Sequence, residues 1–157
     1  MHYLTTRFNN VTFIENMKKR KEKNLICIYG APRELNNKIK YDEKAYVIEM
    51  NNDLNKVEGI GMIRNRHKPL HSLRCYEDRN CNRYVYVGKR YISRDELMIC
   101  NNKLVVCLDD ILFKGKSHMK RGSGFTTLSP KLLTQDKCCD VNVKLEIDFI
   151  FRKGLGT

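Results

Sequence analysis

The chain is short of acid. Eighteen Asp plus Glu stand against 30 Lys plus Arg in 157 residues, giving a formal net charge of +12 and a pI near 9.5. A surplus of that size speaks to partners and not to fold, and nucleic acid is the polyanion to expect first. Also missing is any apolar run near the roughly 20 residues a bilayer needs, so no membrane span is expected. The first residues, MHYLTTRFNN, lack the basic-then-apolar order of a signal peptide, and an intracellular location is expected. No basic amphipathic helix with bulky apolar anchors stands out, which puts a lipid surface behind nucleic acid and behind an acidic protein. Internal repeats and low-complexity segments are absent, so one domain over 1–157 is expected. Neither a Gly-x-Ser-x-Gly elbow nor a P-loop occurs, and hydrolase and NTPase readings go without support. Seven cysteines, an odd count without a secretory signal, are read as reduced thiols and not as a disulfide framework.

What the chain does have is a basic glycine stretch, Phe113 to Thr127, FKGKSHMKRGSGFTT. Lys114, Lys116, Lys120 and Arg121, with His118 among them, precede Gly122, Ser123 and Gly124. Glycines let the backbone take positive φ and turn its amides outward, and long cations beside bare amides suit a phosphate. The alternative is a solvated basic loop joining two helices.

Around this stretch the elements read as follows. A helix is expected from Asn10 or Thr12, with Glu15 placed for a capping box, and its Lys18, Lys19, Arg20, Lys21 and Lys23 point at solvent. NLICIY (24–29), AYVIEM (45–50) and KVEGIGMI (56–63) read as strands, the last two joined by a turn at 51–55. Gly59 and Gly61 fall on one strand face and are expected to mark a barrel corner. They form no dinucleotide fingerprint, since the third glycine and the following helix are missing. Residues 65–82 read as a mobile basic loop. RYVYVGKRYIS reads as a hairpin turning at Gly88-Lys89, where Arg83, Tyr84, Tyr86, Lys89 and Arg90 interleave aromatic rings with cations. Tyr84 and Tyr86 either stack bases or form the inward side of the strand. Ser93 and Glu96 open a short helix as a capping box, a second helix runs into the glycine stretch, and Pro130 starts a third. The alternation Val141, Val143, Leu145, Ile147, Phe149 predicts a closing strand. The fold class expected is therefore α+β: a small, curved or barrel-like antiparallel sheet with an N-terminal helix and two or three short helices.

Other chemistry is sparse. His67, His71, Cys75 and Cys81 are competent zinc ligands, although the Cys75–Cys81 gap exceeds the usual spacing and Pro69 separates the histidines; otherwise no cofactor is expected. Cys138-Cys139 beside Asp136 and Asp140 is a weaker set. Asp42-Glu43-Lys44 matches part of a metal-dependent nuclease pattern without an upstream acid. Glu146 and Asp148 are read as the wet side of the last strand. Ile28-Tyr29-Gly30 and Tyr86-Val87-Gly88 resemble the halves of the GIY-YIG endonuclease signature, yet lie too far apart, and the first lacks its leading glycine.

Taken together, CIYGAP, YVIEMNNDLNKVEGIGMI, RYVYVGKRYIS and ILFKGKSHMKRGSGFT resemble a family of short proteins of giant DNA viruses of the mimivirus type, over about Tyr3 to Leu133. The resemblance transfers no catalytic residue. It implies a viral, intracellular context: host cytoplasm, viral factory or the particle. The element order is separately similar to PUA-like small β-barrels that handle RNA or modified bases, an analogy of fold alone.

The expectation that results is a nucleic-acid-binding protein, DNA or RNA, without catalysis. Its phosphates would be held by the 114–124 stretch, with Lys18, Lys19 and the Arg83–Arg90 segment extending one patch. A metal-dependent nuclease and a virion or host-interaction protein with an acidic protein partner are the alternatives, and a homodimer stays open.

Overall fold

The computed structural model describes residues 1–69, 72–133 and 140–155. Its elements are β1 (His2–Phe8), α1 (Asn10–Lys23), β2 (Cys27–Ala31), β3 (Lys44–Asn51), β4 (Lys56–Arg64), β5 (Tyr84–Gly88), β6 (Arg90–Ser93), α2 (Arg94–Phe113), β7 (Thr126–Thr127), α3 (Pro130–Leu133) and α4 (Val143–Arg152), with a 3-10 turn at Arg79–Asn82. The fold is α+β. Five strands form an open sheet in the order β6-β4-β3-β1-β7, and β2 pairs with β5 in a separate ribbon. The sheet is mixed, because β1 runs parallel to β3, and it does not close into a barrel.

Strand alternation sends side chains to two cores. Tyr46, Ile48, Met50, Ile60 and Ile92 meet α2 and α4 on one face. Leu4, Phe8, Ala45, Val47 and Ile63 meet the β2–β5 ribbon on the other. With both faces covered, β3 reads as a continuous apolar run.

Three expectations need correction. The 141–149 stretch is not a strand; it contains α4, capped by the Asn142 side chain, which accepts from Leu145 N–H at 3.1 Å. Val143, Ile147, Ile150 and Phe151 also follow helical spacing and are buried, whereas Leu145 and Phe149 from the alternating set are exposed. RYVYVGKRYIS is not a hairpin, since β5 pairs with β2 while β6 pairs with β4, so the chain changes layers at Lys89. Gly59 and Gly61 mark close approach and not a barrel corner: a methyl at Gly59 would strike Tyr91, and one at Gly61 would strike the Tyr29 hydroxyl. Near the N-terminus, β1 is paired on both sides, parallel to β3 and antiparallel to β7.

Other readings meet the structure more closely. α1 starts at Asn10, but its capping box joins Asn9 and Thr12 and does not use Glu15. Ser93 and Glu96 make both bonds of the expected capping box. The two expected helices join at Asn101, whose non-helical backbone (φ −161°, ψ 84°) breaks α2 while its side chain accepts from Leu104 N–H. Among its described residues the 65–82 stretch holds only the 3-10 turn, and Asn82 anchors its second half by accepting from the N–H groups of Cys75 and Tyr76, both at 2.8 Å.

Burial pushes the thiols of Cys27 and Cys75 up to about 11. A thiol held neutral only in the folded chain gives its full stabilisation below its unfolded pKa. That stabilisation is lost as pH rises through the folded value, because the unfolded chain gives up the proton first. Unfolding free energy is expected to fall between pH 9 and 11, read by urea midpoints across that range. Cys27→Ala should flatten the fall.

Candidate functional site

A strongly cationic concavity lies where the two layers meet. Gly88 ends β5 against the Met62 carbonyl of β4 and the Cys27 sulfur, an approach that a methyl group there would obstruct. Lys89 then crosses to β6, where Arg90 pairs with Met62. On the hairpin beside it, Lys44 opens β3 opposite Arg64, which closes β4. The chain leaving β4 returns along β5, with Lys68 N–H donating to Val85 C=O at 2.7 Å. The outcome is a groove of about 640 Å³ floored by Met62, Ile63, Val87 and Gly88 and edged by Lys44, Arg64, Arg66, Lys68, Lys89 and Arg90.

Among the described residues Asp42 is the one acid lining the groove. Its carboxylate bridges Arg66 at 2.9 Å and Arg64 at 3.2 Å. Lys44, Lys68, Lys89 and Arg90 pair with no acid among the described residues. Such cations keep their field for a mobile anion. Low-dielectric walls beneath them strengthen that field.

The glycine stretch forms a second, separate site. Gly122 (φ 97°) and Gly124 (φ 71°) adopt the left-handed backbone their sequence suggested, as does Gly115 (φ 79°). Arg7 holds the loop from the sheet, donating to the carbonyls of Met119 at 2.6 Å and Gly124 at 3.3 Å and to Thr126 Oγ1 at 2.8 Å. Asn52 donates to Lys120 C=O, and Lys120 N–H donates to His118 Nδ1. Lys114 is paired with Asp110 at 2.7 Å. Lys116, His118 and Arg121 remain around a shallow depression, while Ser123 is exposed beside it. Arg7, near the end of β1 and opposite Met50, and Asn52, just past β3, lie at the far end of the sheet from Lys44, roughly 20 Å away at about 3.3 Å per strand residue. The expected single patch is therefore two sites at opposite ends of the sheet.

Other expected residues have different surroundings. Lys18 and Lys19 share Glu22 at 3.9 and 3.3 Å, within a depression that also holds Glu15 and Glu77. Arg20 does not face solvent; it is buried. Tyr86 is fully buried, its hydroxyl accepting from Leu35 N–H, so no base stacks on it. Tyr84 is half-buried edge-on to the His67 ring, and Arg83 is exposed. Of the proposed zinc ligands, His67 faces Glu34 at 3.2 Å and the Lys68 carbonyl, and Cys75 is buried beside Asn16 and Tyr76. His71 and the Cys138-Cys139 pair lie outside the described residues. Among the described residues no three His, Cys, Asp or Glu side chains are grouped to hold a metal.

Sequence reading had Lys89 and Arg90 but missed Lys44, Arg64, Arg66 and Lys68. A partial signal was present: counting back from the 51–55 turn brings Lys44 within one residue of Arg64 at the open end of the hairpin, and a bulge at Glu49/Met50 sets the two opposite each other. Also unforeseen was a buried cluster between the layers, where Glu49 of β3 pairs with Arg20 and accepts from Tyr29 at 2.7 Å and Tyr91 at 3.0 Å. Burial alone lowers the pKa of Arg20, but the charge of Glu49 overrides it and holds the guanidinium protonated. Burial, then Glu49, raises both tyrosines.

The chain matches no protein-family model, no curated protein and no solved structure. Among the described residues no helix is long and apolar enough to cross a membrane.

Proposed function

We propose that the protein binds the phosphate backbone of a nucleic acid in the groove between β4 and the β5–β6 crossing. One observation carries this reading: six cations edge one concavity against a single acid, and four of the six have no acidic partner among the described residues. A surface with no charged ligand would gain nothing from holding like charges together. Phosphates are the groups that long, unpaired cations in a row fit best. Asp42, the only carboxylate there among the described residues, has an arginine on each oxygen, so the proposal is binding without a catalytic step.

Binding of a labelled oligonucleotide, followed by fluorescence anisotropy against salt, tests the reading. With four to six phosphates neutralised at about 0.7–0.9 each, log K should fall against log salt with a slope of roughly −3 to −5. Affinity that ignores salt would end it.

A further inference from the structure

The aromatic partner expected of a single-strand binder is missing from Tyr86, which is buried, but an exposed ring stands next to two groove residues, Asp42 and Arg66. Tyr41 is 74% exposed. It precedes Asp42 in a tight turn closed by Glu43 N–H donating to Lys40 C=O at 3.1 Å. Asp42 takes positive φ (65°), its N–H donates to Asn65 C=O, and its carboxylate binds Arg64 and Arg66. Glu43 tightens the same turn by accepting from Lys40 N–H at 2.7 Å and contacting His2 at 3.0 Å. These two contacts, the Lys40 N–H first, hold its carboxyl below the usual range. The ring is therefore presented by a braced turn. Arg66, a groove residue, places its guanidinium 5.8 Å from the ring centre.

From this geometry we infer that the groove takes a single-stranded nucleic acid, with an unpaired base stacked on Tyr41 while its phosphates lie on the neighbouring cations. This rests on the groove reading above and adds to it the strandedness of the ligand. Folding does not explain a large ring at this position, because so little of it is buried. A duplex hides the faces of its bases, so an exposed ring beside a phosphate track gives affinity only to a strand whose bases are free. Arg66 adds to the platform, since a guanidinium both stacks with a ring and reaches a phosphate.

The test uses the full chain and three labelled probes: a short oligothymidylate, an abasic oligomer with the same number of phosphates, and a duplex of equal length. The native protein should bind oligothymidylate roughly tenfold or more tighter than the abasic oligomer, and tighter per phosphate than the duplex. Tyr41→Ala should erase the preference for bases while leaving abasic binding unchanged, and Tyr41→Phe should keep it. Equal, salt-dependent binding of thymidylate and abasic probes would overturn the stacking inference and leave the groove reading standing. So would a Tyr41→Ala loss that falls equally on both probes, or a duplex bound tightest. No salt-dependent binding of any probe would overturn both.

Discussion

Replacing Lys44, Lys68 and Lys89 together by alanine should weaken nucleic-acid binding roughly a hundredfold at about 0.1 M salt and make the salt slope shallower by about 2, at about 0.7 per lost phosphate contact. These three lysines are chosen because they are exposed and pair with no acid among the described residues, so their loss removes field without removing an internal bond. Arg64 and Arg66 are left in place because they brace Asp42. Oligonucleotide anisotropy at several salt concentrations reads both numbers, and an unchanged urea midpoint shows that the fold is intact. The matched control is Lys116→Ala with Arg121→Ala at the glycine loop. If that pair reproduces the loss and the groove variant does not, the ligand sits at the other end of the sheet.

How far the sequence reached depends on the range of the interaction that decides each element. β3, β4 and their turn were legible because apolar runs and an Asn-rich turn are local signals. The Ser93–Glu96 capping box was legible for the same reason. By contrast, the partner of β5 is β2, with Tyr86 opposite Tyr29, a choice made by distant chain that no turn signal records. α4 was misread because one run carries both a period of two and helical spacing, and only the α2 face it packs on selects between them. The groove was half legible. Lys89 and Arg90 stood out beside aromatic residues, while Lys44 and Arg64 needed the hairpin register to meet. Arg20 looked like one more solvent-facing cation of a basic helix because its acid partner lies in another layer.

That buried pair carries the largest expected stability effect. Glu49→Ala should lower the unfolding free energy by about 3–5 kcal/mol, because it leaves Arg20 charged in an interior that cannot solvate it. Arg20 has no exit: its guanidinium lies 4.6 Å from the Tyr91 ring centre and 5.6 Å from that of Tyr29. Both hydroxyls also lose an acceptor, and Tyr29 is fully buried. Room for Tyr29 and Tyr91 exists only because Gly59 and Gly61 have no side chains, so the two glycines, the two rings and the ion pair form one packing unit. It joins α1, β2, β3, β4 and β6, and β6 carries Arg90 of the groove. Arg20→Met should be costly too, since it strands Glu49, which is 0% exposed. The double variant should then cost less than the sum by about 1–3 kcal/mol, as partners in one network do. Urea unfolding of the four proteins measures the cycle. A Glu49→Ala loss under about 1 kcal/mol, or strict additivity, would mean that apolar packing alone holds the layers together and that the charge pair is incidental to the fold.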